Sequence, residues 1–421
     1  MTSLKYSLER LHMLKPTPGL TGLRNIGNTC FLNSIVQCLS NTRHLRYYIL
    51  TNAYKKDIRS DSQGDLIVAF ANLLKEIWSG SVEVANTALF KSQVQRFAPR
   101  FMGYSQQDAQ EFLRYLLEGL HKDVNSADRK NRRRFDDLDD LPEPQKALES
   151  WNQYLQLENS FVVNLFVGQL KSTLTFPDCG HRSTTYEVFW DISLPIPTRS
   201  SNLQLSDCFD YFMQDETLDG DNVAKCSRCK KLRPCTKRYS IHKFPRVLVV
   251  HLKRFSPTER FRKLNVNVEF PVDGLDLTPY TDHGQRLTEN GQRLTDYGQR
   301  LTDNVKGSVD YVRKSSDNVR NPVDYVRKSV DNMRNPIDYV KKPVEDHQIM
   351  IYDLYAVSNH SGSSQYGHYT AACRHPDTKQ WHFFNDSNVS PLGTAKVVTS
   401  QAYVLFYEQR MPEAQEIKCC Q

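Results

Sequence analysis

The sequence predicts an α+β protein, with helices in the first part of the chain and strands in the second. From Gly22 to about Leu155, apolar residues recur at the spacing of amphipathic helices. From about Phe161 onward, the apolar runs are shorter and rich in β-branched and aromatic residues, which is typical of strands. Helices followed by strands along the chain indicate the α+β class.

Two helices can be placed in the first part of the chain. One apolar face recurs at helical spacing and consists of Leu66, Phe70, Leu73, Leu74 and Ile77. Ser105, with Asp108 three residues later, resembles a capping box and predicts the start of a second helix. The apolar face of that second helix consists of Phe112, Leu113, Leu116 and Leu117.

Strands are predicted both before and after the segment 282–345. The continuous apolar run Val247–Val250 predicts a strand that is covered on both faces. The predicted strands are Leu165–Thr175, Tyr186–Leu194, Tyr239–His242, Val247–Phe255, Ile351–Val357, Tyr369–Arg374, Trp381–Phe384 and Ala402–Tyr407.

Composition indicates an ordinary globular chain, since the 421 residues are 39% apolar and 24% charged. The net charge of +7 comes from basic residues intermixed with acids, so no nucleic-acid partner is expected. The basic cluster at 129–134 is followed at once by acids at 136–140, and we interpret it as a solvated loop rather than a nuclear signal.

Neither a signal peptide nor a membrane partner is expected. No apolar stretch follows Met1, and no run approaches the ~18 apolar residues of a membrane-spanning helix. Ten cysteines without a secretory signal predict free thiols in a reducing compartment. We therefore expect a cytoplasmic and/or nuclear location.

Cys30 is the first candidate for chemistry. It follows Gly27-Asn28-Thr29 and precedes an apolar run with helical spacing, which predicts that its thiol lies at a helix N-terminus. Free backbone N–H groups and the positive end of the helix dipole favour the thiolate at such a place, and the thiolate is the nucleophile. The alternative interpretation is a small buried cysteine that begins an ordinary helix.

A histidine near the C-terminus favours the interpretation of Cys30 as a nucleophile. His368 opens the predicted strand 369–374, and Asn385-Asp386 follows the end of the next predicted strand. A hairpin of this length can place His368 beside Asn385. A cysteine with a histidine base, and a third group that orients the histidine, is the arrangement of thiol proteases.

The segments around these residues resemble the ubiquitin-specific proteases (USPs), a family of deubiquitinases. Gly-Asn-Thr-Cys-Phe-Leu-Asn-Ser resembles their cysteine box, and Gly-His-Tyr-Thr-Ala resembles their histidine box. The resemblance extends over about 20–280 and 348–408. The matching segments, in this order, are 27–34, 104–112, 189–195, 252–255 and 367–371.

The resemblance implies a papain-like fold with a helical thumb, a β palm and β fingers. Residues 20–408 would form the catalytic domain, with the thumb at about 20–160 and the fingers and palm at about 161–408. An N-terminal arm (1–19) would precede the domain, and a C-terminal tail (409–421) would follow it.

The resemblance also assigns catalytic roles. Cys30 would attack the carbonyl of the terminal glycine of ubiquitin, and His368 would accept the thiol proton and later protonate the leaving lysine amine. Asn385 would orient His368, with Asp386 as the alternative orienting group. Asn25 would join the oxyanion hole together with the backbone N–H of Cys30. No cofactor is expected for catalysis.

Three residues are predicted to bind the tail of ubiquitin: Asp108, Glu111 and Gly367. That tail carries arginines, so the two carboxylates have a physical reason to lie beside it; alternatively, they are helix N-terminal acids stabilised by the dipole. His360 is predicted to shape the loop over the active site. The expected partners are ubiquitin and ubiquitinated proteins, and the chain is expected to be a monomer.

A structural zinc site is predicted in the fingers, where the family carries two Cys-x-x-Cys knuckles. Phe176 stands where the first ligand belongs, and the three thiols that remain are Cys179, Cys226 and Cys229. Structural zinc is almost always four-coordinate, so His181 or Cys235 would have to supply the fourth ligand. The alternative is a finger that has lost its metal and is held by packing.

Residues 282–345 form a heptad-repeat insertion, since acids recur at every seventh position from Asp282 to Glu345. A coiled coil needs an unbroken apolar seam, but Pro322, Pro336 and Pro343 interrupt it, each costing ~3 kcal/mol inside a helix. We therefore favour a flexible or partly helical excursion over a stable helical hairpin. Our hypothesis is that the insertion recruits a partner.

Three functions remain open from the sequence alone. The first is a cysteine isopeptidase that removes ubiquitin from lysine. The second is a catalytically silent scaffold that binds ubiquitin. The third is a protease for another ubiquitin-like modifier.

Overall fold

A computed structural model describes residues 17–59, 63–127, 138, 141–198, 203–255, 263–282, 349–363 and 366–410. The described residues divide into two compact units. The larger contains the residues up to Leu277 and from Met350 onward, and the smaller contains 278–282 and Ile349. The predicted N-terminal arm, heptad-repeat insertion and C-terminal tail lie almost entirely outside the described residues.

The helices of the larger unit come mainly before residue 170, as predicted. The described α-helices are α1 (Cys30–Ser40), α2 (Arg43–Leu50), α3 (Asp65–Trp78), α4 (Ala88–Phe97), α5 (Ala109–Asp123), α6 (Glu143–Leu157), α7 (Phe161–Phe166) and α8 (Leu205–Met213). None of these described helices is both long and apolar enough to cross a bilayer.

Apart from the first two strands, which have two residues each, the strands come after residue 167, and only α8 lies among them, which confirms the predicted order of elements. They are β1 (Gly22–Leu23), β2 (Val84–Ala85), β3 (Gly168–Phe176), β4 (His181–Phe189), β5 (Ile192–Pro195), β6 (Leu203–Gln204), β7 (Glu216–Leu218), β8 (Ala224–Lys225), β9 (Leu232–Arg233), β10 (Cys235–Lys243), β11 (Val247–Lys253), β12 (Val268–Glu269), β13 (Leu275–Asp276), β14 (Ile351–Gly362), β15 (Gly367–Arg374), β16 (Trp381–Asn385), β17 (Asn388–Leu392) and β18 (Ala402–Gln409).

Two sheets organise the larger unit. We call the first the palm sheet; its strand order is β17-β16-β15-β14-β18-β11-β5, and β13 also pairs with β14. We call the second the finger sheet, with the order β4-β3-β10-β7. The run Val247–Val250 lies in β11, inside the palm sheet, and is fully buried. A strand covered on both faces needs such a continuous apolar run, so this prediction is confirmed.

Helix α1 is the centre of the core. Every residue of α1 is buried, because the helix packs on β15 of the palm sheet and on α5. Phe31 of α1 meets Phe112 of α5 edge to face at a centroid distance of 5.3 Å, an arrangement that adds to the free energy of apolar burial. Within this core, the Ser34 and Ser358 hydroxyls lie 3.0 Å apart and join α1 to β14.

Three local predictions were wrong. The predicted strand Tyr186–Leu194 is two strands, since β4 ends at Phe189 in the finger sheet and β5 begins at Ile192 in the palm sheet. The helix that carries Phe112 is capped by Asp108, whose side chain accepts from the N–H groups of Gln110 and Glu111, and not by Ser105. The apolar run at Phe161 forms the short helix α7 before β3 begins, because Ser160 caps its N-terminus by accepting from the Val163 N–H.

The strands before and after the insertion at 282–345 pair with each other in the palm sheet. Leu275 pairs with Tyr352, and Asp276 pairs with Ile351, in the antiparallel pair β13–β14. The Leu277 N–H then donates to the Met350 carbonyl at 2.8 Å. The chain therefore leaves and re-enters the larger unit at adjacent points.

Candidate active site

Cys30 begins α1, as the sequence predicts. Thr29 is the N-cap residue, and the turn before it contains two residues with positive φ, Gly27 at 105° and Asn28 at 49°. The Asn28 side chain donates to the Tyr104 carbonyl at 2.8 Å, which fixes this turn against the neighbouring loop. The turn thus places Cys30 at the helix start with only 3% of its surface exposed.

The pKa of the Cys30 thiol is raised above its ordinary value. Burial is the main cause, and the negative charge of Asp386 adds to it. Backbone N–H groups, among them that of Tyr369, act in the opposite direction. The position of Cys30 at the helix start predicts a lowered pKa that favours the thiolate. This prediction is wrong, because burial raises the pKa by more than the N–H donors lower it.

His368 and Asn385 are brought together by the hairpin of β15 and β16. His368 Nε2 lies 2.7 Å from Asn385 Oδ1. An amide oxygen only accepts hydrogen bonds, so Nε2 carries a proton, and in the neutral ring Nδ1 is then the nitrogen with the lone pair. Of the hydrogen bonds among the described residues, none joins Cys30 to His368; the thiol faces the Tyr369 N–H instead.

The start of β15 has an edge that β16 does not cover. Pairing between the two strands begins only at Ala371, so the backbone groups of earlier residues take other partners. Gln106 uses both ends of its amide here: Nε2 donates to the Gly367 carbonyl at 2.5 Å, and Oε1 accepts from the Gly367 N–H at 3.0 Å. Gln106 therefore holds the residue that directly precedes His368.

Asp386 links the strand end that carries Asn385 to helix α1. Its carboxylate accepts from Asn33 Nδ2 at 2.7 Å and from Asn25 Nδ2 at 2.9 Å. Its carbonyl accepts from the Leu23 N–H at 2.8 Å. In this arrangement Asn385 contacts His368, while Asp386 contacts the residues around Cys30.

Asn25 also supports the turn before Cys30. Its Oδ1 accepts from the N–H groups of Gly27 at 3.1 Å and Thr29 at 3.2 Å. One N–H of its side-chain amide donates to Asp386, and an amide carries two. The role of Asn25 in an oxyanion hole stays a prediction.

Asp108 and Glu111 both have partners within the chain. Besides capping α5, Asp108 accepts from the Tyr403 hydroxyl at 2.5 Å, and Glu111 pairs with Arg100. The pKa of Glu111 is raised, mainly by burial and also by Asp108, with Arg100 opposing. Binding of the ubiquitin tail by these acids and by Gly367 stays a prediction.

His360 is buried beneath the start of β15. Burial is the main cause that lowers its pKa to about 4, with the charge of Lys263 as the second cause. A Cβ atom at Gly367 would overlap the His360 ring, so this position requires glycine. The His360 ring also packs on that of Tyr369 at a centroid distance of 4.5 Å. His360 therefore supports the strand of His368 as a neutral side chain.

Comparison with known proteins places the chain among relatives. A sequence model of the family described as "Ubiquitin carboxyl-terminal hydrolase" matches residues 21–407. The chain belongs to this family. It is 42% identical over 403 residues to "Ubiquitin carboxyl-terminal hydrolase 2" of Homo sapiens, covering 94% of this chain and 56% of that protein. The protein of the same name from Gallus gallus is 41% identical, with 95% and 98% covered. The chain thus spans little more than half of the human relative.

Solved structures of the ubiquitin carboxyl-terminal hydrolase family share the fold. The Ubp8 chain of the SAGA DUB module bound to monoubiquitin aligns with a TM-score of 0.63 at 25% identity, covering 94% of this chain and 71% of that one. The same module bound to ubiquitin aldehyde gives equal values. The α+β, papain-like USP fold predicted from the sequence is confirmed.

A cluster of three thiols lies where the sequence predicts a zinc site. The sulfur atoms of Cys179, Cys226 and Cys229 all lie within 4.8 Å of one another. Cys179 Sγ and Cys226 Sγ are 3.6 Å apart. The cluster has the ligand type that binds zinc. Phe176, at the fourth ligand's place in the sequence, is fully buried against Cys226.

Sequence reasoning missed two residues of the site. Asn33 stands three residues after Cys30, a polar side chain on a fully buried helix, and that burial is its only signal. Gln106 lies in the matching segment 104–112, but its contact with Gly367 joins residues 261 positions apart. Neither role could be read without the tertiary structure.

Proposed function

We propose that this chain is a deubiquitinase that hydrolyses the isopeptide bond between the C-terminal glycine of ubiquitin and a substrate lysine. The observation that carries the proposal is the His368 ring, held by Asn385 at 2.7 Å with Nδ1 left free to accept a proton, in a family member whose Cys30 begins a helix. Solved relatives that contain monoubiquitin or ubiquitin aldehyde support the choice of substrate.

The first half of the reaction forms an acyl-enzyme. His368 Nδ1 takes the proton from Cys30 Sγ, and the sulfur attacks the carbonyl carbon of the terminal glycine. The negative charge that develops on the carbonyl oxygen is stabilised by the Cys30 backbone N–H and, as we propose, by the second N–H of the Asn25 amide. His368 then protonates the lysine amine as the C–N bond breaks.

The second half releases ubiquitin. A water molecule gives a proton to His368 and its oxygen attacks the carbonyl carbon of the thioester. The C–S bond then breaks, ubiquitin leaves with a free C-terminal carboxyl group, and the Cys30 sulfur takes the proton back from His368. Asn385 keeps Nε2 protonated throughout, so that Nδ1 is the atom that exchanges protons. No step requires a metal or an organic cofactor.

The raised pKa of Cys30 makes the base essential. A buried thiol whose pKa lies above its ordinary value is protonated at neutral pH, so attack requires the proton to move to His368. Catalytic hydrogen bonds are often long in enzymes without substrate. We therefore propose that binding of the ubiquitin tail, beside Asp108, Glu111 and Gly367, brings Cys30 and His368 into contact.

Turnover of a ubiquitin C-terminal fluorophore tests the proposal. We expect turnover by the wild type and none by Cys30→Ala, which should still bind ubiquitin. Cys38→Ala is the matched control, since Cys38 is a second buried thiol on the same helix. Binding without turnover by the wild type would indicate the scaffold function, and turnover only of another modifier would indicate the third function.

The remaining expectations from the sequence belong to the same proposal. We propose ubiquitinated proteins as substrates, a monomeric enzyme, a cytoplasmic and/or nuclear location, and no nucleic-acid or membrane partner. A separate partner for the insertion at 282–345 also remains a hypothesis. Comparing captured partners of the full chain with those of a deletion of 282–345 tests it, because an unchanged set would make the insertion a neutral expansion.

A further inference from the structure

The tip of the finger sheet contains two turns with the same backbone conformation. In the first, the Gly180 N–H donates to the Phe176 carbonyl at 2.9 Å. In the second, the Lys230 N–H donates to the Cys226 carbonyl, also at 2.9 Å. The fifth residue has positive φ in both turns, 63° at Gly180 and 57° at Lys230. Phe176 therefore occupies the place in the first turn that Cys226 occupies in the second.

The fourth residue of each turn is a cysteine with equivalent surroundings. The backbone N–H of His181, two residues later, lies beside Cys179 Sγ. The backbone N–H of Lys231, again two residues later, lies beside Cys229 Sγ. Both turns thus hold their second sulfur in the same way.

The three sulfur atoms have the spacing of metal ligands. With Zn–S bonds of about 2.3 Å, two sulfurs at adjacent corners of a tetrahedron lie about 3.8 Å apart. Cys179 Sγ and Cys226 Sγ are 3.6 Å apart, and Cys229 Sγ lies within 4.8 Å of both. Three corners of a tetrahedral site are therefore present.

The fourth corner has no ligand. Phe176 is 0% exposed; it packs on Cys226 and Cys235, and its ring stacks on that of His181 at a centroid distance of 6.3 Å. His181 Nε2 lies 2.8 Å from the Ser227 hydroxyl, and among the described residues Cys235 does not belong to the group of clustered ligand atoms. Neither candidate for the fourth ligand is in place.

The surroundings of the cluster suit an anionic, partly open site. Arg233 Nε donates to Cys229 Sγ at 3.3 Å, and its Nη1 pairs with Asp178 at 2.7 Å. Three thiolates around a divalent cation carry a net charge of about −1, and the Arg233 guanidinium that contacts Cys229 favours this negative charge. Cys179 and Cys229 are only partly buried, so solvent reaches the cluster.

We propose that Cys179, Cys226 and Cys229 form an open three-thiolate site for a thiophilic divalent cation, in place of the closed four-ligand structural zinc site of the family. The fourth position is left to water or another small ligand, so the cation exchanges readily. The finger tip does not depend on the cation for its fold, because the buried Phe176 ring supplies packing where the fourth ligand would supply a bond.

Titration of the metal-stripped full chain with Co²⁺ and Zn²⁺ tests this inference. We expect one Co²⁺ per chain, with a sulfur-to-cobalt charge-transfer band that Cys179→Ser and Cys226→Ser abolish. Cys235→Ser is the matched control, a neighbouring buried thiol outside the cluster, and should leave the band unchanged. Using both Cys179→Ser and Cys226→Ser guards against a variant that fails to fold.

Phe176→Cys supplies the decisive comparison. Because the first turn already has the ligand-presenting backbone, this variant should gain a four-sulfur cobalt spectrum. If the four ligands of a structural zinc site share its binding free energy equally, adding the fourth should raise the affinity of Phe176→Cys for zinc about 10²–10³-fold over the wild type. A strong chelator should lower the melting temperature of zinc-loaded Phe176→Cys by more than that of the zinc-loaded wild type, because the variant binds the cation more tightly.

Three results would overturn the inference. They are the absence of any bound Co²⁺ or Zn²⁺ in the folded wild type, a cobalt band that Cys235→Ser weakens, and an unchanged metal affinity in Phe176→Cys. None of these measurements involves turnover. Failure of the proposed hydrolase activity is therefore distinguishable from failure of this site.

Discussion

Replacing Asp386 by asparagine should destabilise the protein and alter the Cys30 thiol at the same time. The carboxylate accepts from Asn33 Nδ2 at 2.7 Å and from Asn25 Nδ2 at 2.9 Å. Asn33 is only 2% exposed, so its hydrogen bond carries most of the loss. Since a hydrogen bond to a charged group contributes ~1.5–3 kcal/mol, we expect Asp386→Asn to lower the free energy of unfolding by about 2–4 kcal/mol.

The same substitution should lower the pKa of the Cys30 thiol. The negative charge of Asp386 is the second cause, after burial, that raises this pKa. Its removal leaves the backbone N–H donors near the sulfur with less opposition. The midpoint of the pH dependence of Cys30 alkylation by iodoacetamide measures the shift, and we expect it to move to lower pH in the variant.

Asp377→Asn is the matched control, because it makes the same chemical change at an exposed position. Asp377 is 64% exposed and pairs with Arg46 at 3.1 Å. A partly exposed pair contributes about 1 kcal/mol, so the control should lose less stability in urea than Asp386→Asn and leave Cys30 unchanged. Equal unfolding free energies for Asp386→Asn and the wild type, or a thiol pKa that does not fall, would refute the reasoning.

Two further predictions concern the strand of His368. Gln106→Ala removes both hydrogen bonds to Gly367, so we expect kcat to fall by up to about 30-fold with little change in KM, whereas Gln107→Ala should resemble the wild type. A fall in both variants alike would contradict a role for this contact. The pKa of His360 is lowered to about 4, so the unfolded state binds the extra proton between that pH and its ordinary pKa. Stability should therefore fall as the pH drops through this window, by up to ~3 kcal/mol between about pH 6.5 and about pH 4. Urea unfolding at both pH values should show a smaller fall in His360→Gln, and an equal fall would contradict the assignment to His360.

The sequence was sufficient where local chemistry decides the structure. The start of α1 at Cys30 follows from a turn with glycine and asparagine before an apolar helical face. The approach of His368 to Asn385 follows from the length of one hairpin. Both are short-range features, so a single sequence carries enough information for them.

Tertiary structure decided the rest. The sign of the Cys30 pKa shift depends on burial by β15 and α5, which no local pattern reveals. The bond between Asn33 and Asp386 joins residues 353 positions apart. The Asp108 carboxylate that caps α5 also accepts from the Tyr403 hydroxyl, again across a long sequence distance.

The pairing of β13 with β14 has a consequence for engineering. Asp276 pairs with Ile351, so the strand before residues 278–349 and the strand after them are already neighbours in the palm sheet. Whatever lies between them can change in length without moving the register of the strands that carry His368 and Asn385, since each doubling of a loop costs only about 0.6 kcal/mol. This point of the palm sheet is therefore a suitable place to insert a reporter domain that leaves the strands of His368 and Asn385 undisturbed.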